Sequence, residues 1–164
     1  MKKIITILAI VGMFSFQGCT SDDNTDTISE VFELQKVSFE NDPVEGYIIY
    51  NKLTPTIYAS DVVLIYRLSS SIDSNTPVWQ LIPRTLFLDD KRELDYDFDF
   101  SKEDFTIYAK GNYDLALTPA YLRNQTFRIV IVPGSFSMSF DKNNYNEVIS
   151  SLKINENQIQ KINF

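Results

Sequence analysis

From Val31 onward, short apolar runs alternate with polar turns. The clearest period lies at residues 93–100, where Leu94, Tyr96, Phe98 and Phe100 alternate with Glu93, Asp95, Asp97 and Asp99. A period of two sustained over the whole segment predicts a strand with one buried and one solvated face. Asp61 to Leu68 and Phe127 to Val132 lack that alternation. They are β-branched and aromatic almost throughout, which predicts strands covered on both faces. Phe32 and Leu34 share one parity and Val37 and Phe39 the other, so a bulge or bend is expected near Gln35 and Lys36. Further short runs are Tyr47 to Tyr50, Val78 to Ile82, Thr85 to Leu88 and Phe105 to Ala109. They are bounded by Asn41-Asp42-Pro43, Gly46, Pro77, Pro83, the charged turn 89–92 and Lys110-Gly111-Asn112. After Pro133-Gly134, Phe136, Met138 and Phe140 alternate with serines.

Helical spacing appears late. Asn144 and Glu147 have capping-box spacing, and Tyr145, Val148, Ile149 and Leu152 follow at helical intervals, predicting one helix of about nine residues. Asn155 to Phe164 is expected to return as a turn and a last strand with Ile159, Ile162 and Phe164 inward. Roughly eight or nine strands separated by turns predict a mainly β fold, a single immunoglobulin-like β-sandwich over residues 31–164 with one short C-terminal helix. The sequence holds one Cys, so the immunoglobulin likeness is architectural and lacks a disulfide. At 164 residues the chain has the length of one domain and can bury about 65–70% of its unfolded surface.

The first thirty residues follow a different pattern. Lys2 and Lys3 precede an uncharged, mostly apolar run from Ile4 to Phe16, which is too short to span a bilayer and suits a signal-peptide core. Gln17, Gly18 and the lone Cys19 after it resemble a bacterial lipobox. That resemblance implies residues 1–18 as a lipoprotein signal peptide, with cleavage before Cys19, diacylation of its thiol and acylation of the new amine. An ordinary secretory peptide with an incidental Cys is the plainer alternative. Residues 19–30 then form an acylated Cys and an acidic tether in which only Ile28 is apolar. Ser21, Asp22 and Asp23 resemble the export signal of Bacteroidota surface lipoproteins, which implies an outer-membrane protein facing the exterior. A plain polar tether is the alternative. Asp26-Thr27-Ile28 resembles an O-glycosylation site of the same phylum, with Thr27 as acceptor.

Composition narrows the chemistry. Lys and Arg number 15 against 22 Asp and Glu, which argues against nucleic acid as a partner. The absence of His and of a second Cys removes imidazole catalysis, disulfides and multi-Cys zinc sites. Without residues 1–18 the acidic excess grows, because Lys2 and Lys3 go with them. Attachment to anionic lipid then falls to the acyl chains, and several chains hold where one is marginal. The expected partners are the membrane, through the lipid anchor, and an envelope protein or a glycan. No cofactor is expected.

Asp61 to Leu68, Trp79 with Leu81 and Pro83, Leu94 to Phe100, Asn124 to Gly134 and the Tyr145 to Leu152 helix together resemble a group of small uncharacterised Bacteroidota lipoproteins. The likeness covers most of residues 31–162 and rests on packing motifs, so it implies shared fold and no catalytic role. Some members carry a collagen-like Gly-Pro-rich stretch after the lipobox, which this chain lacks. Some are labelled dihydrolipoamide dehydrogenase. Nothing here supports that label, because the chain has no G-x-G-x-x-G, no redox Cys pair and no His.

Two constellations remain. Asp95, Asp97 and Asp99 share a strand face at about 7 Å spacing and, with Asp89 and Asp90 near, are weak candidates for Ca²⁺. The D-x-D-x-D start resembles an EF-hand loop, but Phe100 stands where Gly is required and Thr106 where Glu is required. A solvated strand face whose like charges discourage edge pairing accounts for the same residues. Trp79, the sole Trp, is a candidate ligand-binding platform for sugar rings; the apolar strand around it equally suits a core position. Carboxylate pairs occur in any acidic chain, and no nucleophile elbow or Ser-x-x-Lys motif is present, so catalysis is not expected.

Overall fold

The computed structural model of the chain describes residues 29–73, 76–136 and 140–163. Ten strands run in chain order: β1 (Glu30–Val37), β2 (Glu40–Asp42), β3 (Gly46–Lys52), β4 (Val62–Ser71), β5 (Pro77–Ile82), β6 (Arg84–Phe87), β7 (Glu93–Phe100), β8 (Asp104–Gly111), β9 (Gln125–Val132) and β10 (Gln160–Asn163). One α-helix, α1 (Tyr145–Ser151), lies between β9 and β10. Sheet A has the order β10-β1-β9-β4-β5 and sheet B the order β2-β3-β8-β7-β6. The protein is therefore mainly β, a single β-sandwich with one short helix. Expectations at Cys19, Ser21, Asp22, Asp23, Thr27, Met138 and Phe164 fall outside the described residues.

The two kinds of hydrophobic pattern become two kinds of sheet. In β7, Leu94 and Tyr96 are buried between the sheets while Asp97 and Asp99 are exposed. Sheet B thus keeps one face in water. In β4 and β9 both parities are apolar because sheet A is covered twice. Val63, Ile65, Phe127, Ile129 and Ile131 face sheet B and meet Ile49, Leu94, Phe105 and Ile107. Leu64, Tyr66, Val130 and Val132 face the other way and pack on Tyr145, Val148 and Ile149 of α1. The strand β9, free of alternation, is the middle strand of sheet A.

The bulge expected in β1 sits at Lys36. The register with β9 shifts between Leu34 and Val37, and Lys36 takes φ 57°. The extra residue lets Leu34, Val37 and Phe39 all enter the same core despite their mixed parity. The turn from β5 to β6 is the single residue Pro83, which carries the chain from sheet A to sheet B and closes one corner of the sandwich. Gly134 passes so close to Ser60 that a Cβ there would lie 2.5 Å from the Ser60 carbonyl oxygen, and only Gly fits.

The C-terminal segment differs from expectation in detail. α1 is seven residues long and starts on a half-formed capping box. Asn144 Oδ1 accepts from the Glu147 N–H at 3.3 Å, whereas Glu147 Oε1 accepts from the Asp141 N–H and not from that of Asn144. The last strand forms, with Ile159 buried and Ile162 against the core. It pairs parallel to β1, from Phe32 opposite Gln160 to Gln35 opposite Asn163.

Ile129 is fully buried in the middle strand. Ile129→Ala should cost about 2–5 kcal/mol of unfolding free energy in urea titration. A loss below about 1 kcal/mol would mean that the two sheets do not close on this residue.

Candidate functional site

The densest polar chemistry lies under α1. Arg128 is the outward residue of β9 between Phe127 and Ile129, so its side chain enters the layer between sheet A and the helix, where it is 7% exposed. Its Nε donates to Glu33 Oε2 at 2.8 Å, and its Nη1 donates to Glu156 Oε2 at 2.7 Å and to Tyr145 Oη. Gln35 Nε2 donates to the second Glu33 oxygen at 2.6 Å. The guanidinium also lies 4.3 Å from the centre of the Trp79 ring and 5.3 Å from that of Tyr145. Tyr66 meets Tyr145 edge-on, with ring centres 5.2 Å apart, and Tyr66 Oη donates to the Lys142 carbonyl at 2.6 Å.

Burial alone would pull the Arg128 pKa down, but hydrogen bonds to Glu156 and Glu33 outweigh it and raise it. Burial pushes the Tyr145 phenol up, against the pull of Arg128, to about 12. Burial likewise raises Tyr66 above the ordinary phenol range. These groups are held in one protonation state across the physiological range.

A second buried cation sits on the opposite side of sheet A. Arg67 is 8% exposed in the core between the sheets. Its Nε and Nη2 both donate to Gln125 Oε1, at 2.9 and 2.7 Å, and its guanidinium stacks 4.6 Å from the centre of the Tyr96 ring. Gln125 in turn donates to the carbonyls of Ala120 and Arg123. Among the described residues no carboxylate pairs with Arg67.

Trp79 stands at the rim of the first cluster. It is half-buried on edge strand β5, and its ring centre is 5.6 Å from that of Tyr145. Its Nε1 is buried without an acceptor, the one such side-chain atom among the described residues. It lines a groove of about 480 Å³ with Tyr145, Val78, Thr76, Asn143 and Asn146.

The three aspartates of β7 lie on the outer face of sheet B and do not converge. Asp95 accepts from Thr85 Oγ1 at 2.5 Å, Asp97 from the Phe98 N–H at 2.8 Å, and Asp99 from Tyr108 Oη at 2.8 Å. Among the described residues no three carboxylates come together as a metal site.

No protein-family model, curated protein or solved structure matches this chain. The geometry alone therefore ranks the candidates, and it brings Trp79 together with residues not singled out in the sequence as site residues: Arg128, Glu33, Glu156 and Tyr145. The available signal was an Arg inside each of two otherwise apolar strands, since a charge there requires a partner.

Glu33 and Glu156 both hold Arg128, but only Glu33 is buried, at 6% side-chain exposure against 46%. Glu33→Ala should cost about 3–5 kcal/mol in urea unfolding, and Glu156→Ala about 1 kcal/mol or less. Equal effects would remove the distinction. Ultraviolet titration of the tyrosines tests the buried phenols. Tyr96, raised by burial, and Tyr145 should ionise near pH 12. Because their folded-state values lie above the ordinary value of about 10, the stability they carry is complete below pH 10 and is lost as pH rises toward 12. Full ionisation of all tyrosines near pH 10 with the fold intact would contradict it.

Proposed function

We propose that the chain is a lipid-anchored, non-catalytic interaction module of the outer membrane, displayed toward the cell exterior. The observation that carries this reading is the lone Cys19 directly behind a short apolar core and ahead of the acidic stretch 20–30. The anchor would be the acylated Cys19, with Ser21, Asp22 and Asp23 as the export signal and Thr27 as a glycan acceptor. Among the described residues no helix is long and apolar enough to cross a membrane. The non-catalytic part is supported by where the buried perturbed groups lie. Tyr66, Tyr96, Tyr145 and Arg128 are committed to packing and ion pairs within the fold.

A glycan-binding accessory module is the second reading. It is favoured by the groove at Trp79, which joins an aromatic wall to hydroxyl and amide side chains.

Cys19→Ala should abolish incorporation of radiolabelled palmitate and move the protein from the membrane to the soluble fraction. Wild-type protein on intact cells should be digested by added protease while a periplasmic marker survives. Unlabelled wild-type protein would sink the anchor. Labelled protein that stays protected until lysis would sink only the outward orientation.

A further inference from the structure

We infer that the groove beside Trp79 binds one or two rings of a neutral saccharide; this deepens the glycan-binding reading and rests on it. The size is suitable. About 480 Å³ lies within the roughly 300–1,000 Å³ of small-ligand sites.

The lining decides the chemical class. One wall is apolar, built from Trp79, Tyr145 and Val78, and the rim carries Thr76, Asn143 and Asn146, whose groups both donate and accept hydrogen bonds. Among the described residues no Lys or Arg lines the groove, and the one charged side chain there is Asp141. A phosphate or a uronate would meet a carboxylate and no cation, which disfavours both. A wholly apolar ligand would strip water from the amides without replacing its hydrogen bonds. A neutral sugar ring meets both demands, with C–H faces for the aromatic wall and hydroxyls that donate and accept hydrogen bonds at the rim. The same wall contains the orphan Trp79 N–H. That N–H is itself out of contact with solvent, so the ring, and not the N–H, is what meets a ligand in the groove.

The groove also lies at the far end of the sandwich from the point where the chain enters it. Glu30, which opens β1, is level with Ile131 and Val63. The groove lies where Ser71 of β4 pairs with Pro77. Val63 and Ser71 are eight residues apart on one strand, or about 26 Å.

The test uses the full mature, acylated protein in detergent. The probes are neutral gluco-, xylo- and manno-oligosaccharides with their parent polysaccharides, and polygalacturonate and inorganic phosphate serve as anionic controls. Binding is read by the fluorescence of the single Trp and by retardation in polysaccharide-containing gels. A neutral saccharide should bind, and the exposed-residue variant N143A/N146A should weaken binding about ten-fold or more with unchanged thermal stability. Trp79→Phe, which keeps an aromatic ring but shortens the apolar wall, should also weaken retardation in the gels with circular dichroism unchanged. Three results would each overturn the site: no neutral saccharide bound at millimolar concentration, preference for the anionic probes, or affinity unaffected by both variants. Palmitate labelling and protease accessibility read the anchor independently. A labelled, surface-accessible protein that binds no saccharide fails this inference and the glycan-binding reading while the anchor stands, and one that prefers polygalacturonate fails this inference alone.

Discussion

Arg128 sits in the middle strand of the one sheet that is covered on both faces, and a cation so placed must be neutralised from several directions. The ideal cost of carrying such an ion out of water is of order 20 kcal/mol, and several kcal/mol persist after relaxation. Each group that answers this cost comes from a different part of the chain. Glu33 is on β1, Tyr145 opens α1, Glu156 lies in the turn before β10, and Trp79 comes from the edge strand β5. The C-terminal segment therefore has a defined place on sheet A. Its apolar residues supply the area, and the arginine supplies the register, since ion-pair and ring distances are met in one arrangement only. A purely apolar interface would tolerate α1 sliding along the sheet.

The second face of sheet A also explains the difference between the sheets. Sheet B needs apolar residues at alternate positions only, and its outer face carries Tyr50, Tyr108, Lys110 and the β7 aspartates in water. The covered stretches of β4 and β9 have no solvent face, and each carries one charged residue there, an arginine solved separately. Arg128 has carboxylates. Arg67, facing the other way, has an amide oxygen and the Tyr96 ring, a neutral environment that holds it through hydrogen bonds and the ring quadrupole.

What was legible in the sequence followed from locality. Alternation in Glu93 to Phe100 placed a half-buried strand, unbroken apolar runs placed β4 and β9 inside, and the parity change at Lys36 placed a bulge. Each is written in neighbouring side chains. The parallel pairing of β10 with β1 was not legible, because nothing in Gln160 to Asn163 encodes the direction of a partner more than a hundred residues away. The Glu33–Arg128 pair was hidden for the same reason, with 95 residues between its members. Trp79 was conspicuous as the single Trp, but its Arg128 neighbour and its orphan N–H depend on tertiary packing. For the aspartates, spacing left the question open, and tertiary packing answered it: Asp95 accepts from Thr85, Asp97 from the Phe98 N–H and Asp99 from Tyr108.

The position of α1 joins the buried ion pair to the groove. Tyr145 accepts from Arg128 at its Oη and also lines the groove, while the Trp79 ring lies over the same guanidinium from β5. The aromatic wall of the groove is thus the outer surface of the shell around Arg128. Its two rings are fixed by a cation beneath them, and a ligand meeting that wall would not first have to order it. A preordered wall spares side-chain entropy on binding, about 0.5–1.5 kcal/mol for each side chain that would otherwise be immobilised. The charge that fastens the helix to the sheet is therefore the same charge that holds the groove open in one shape.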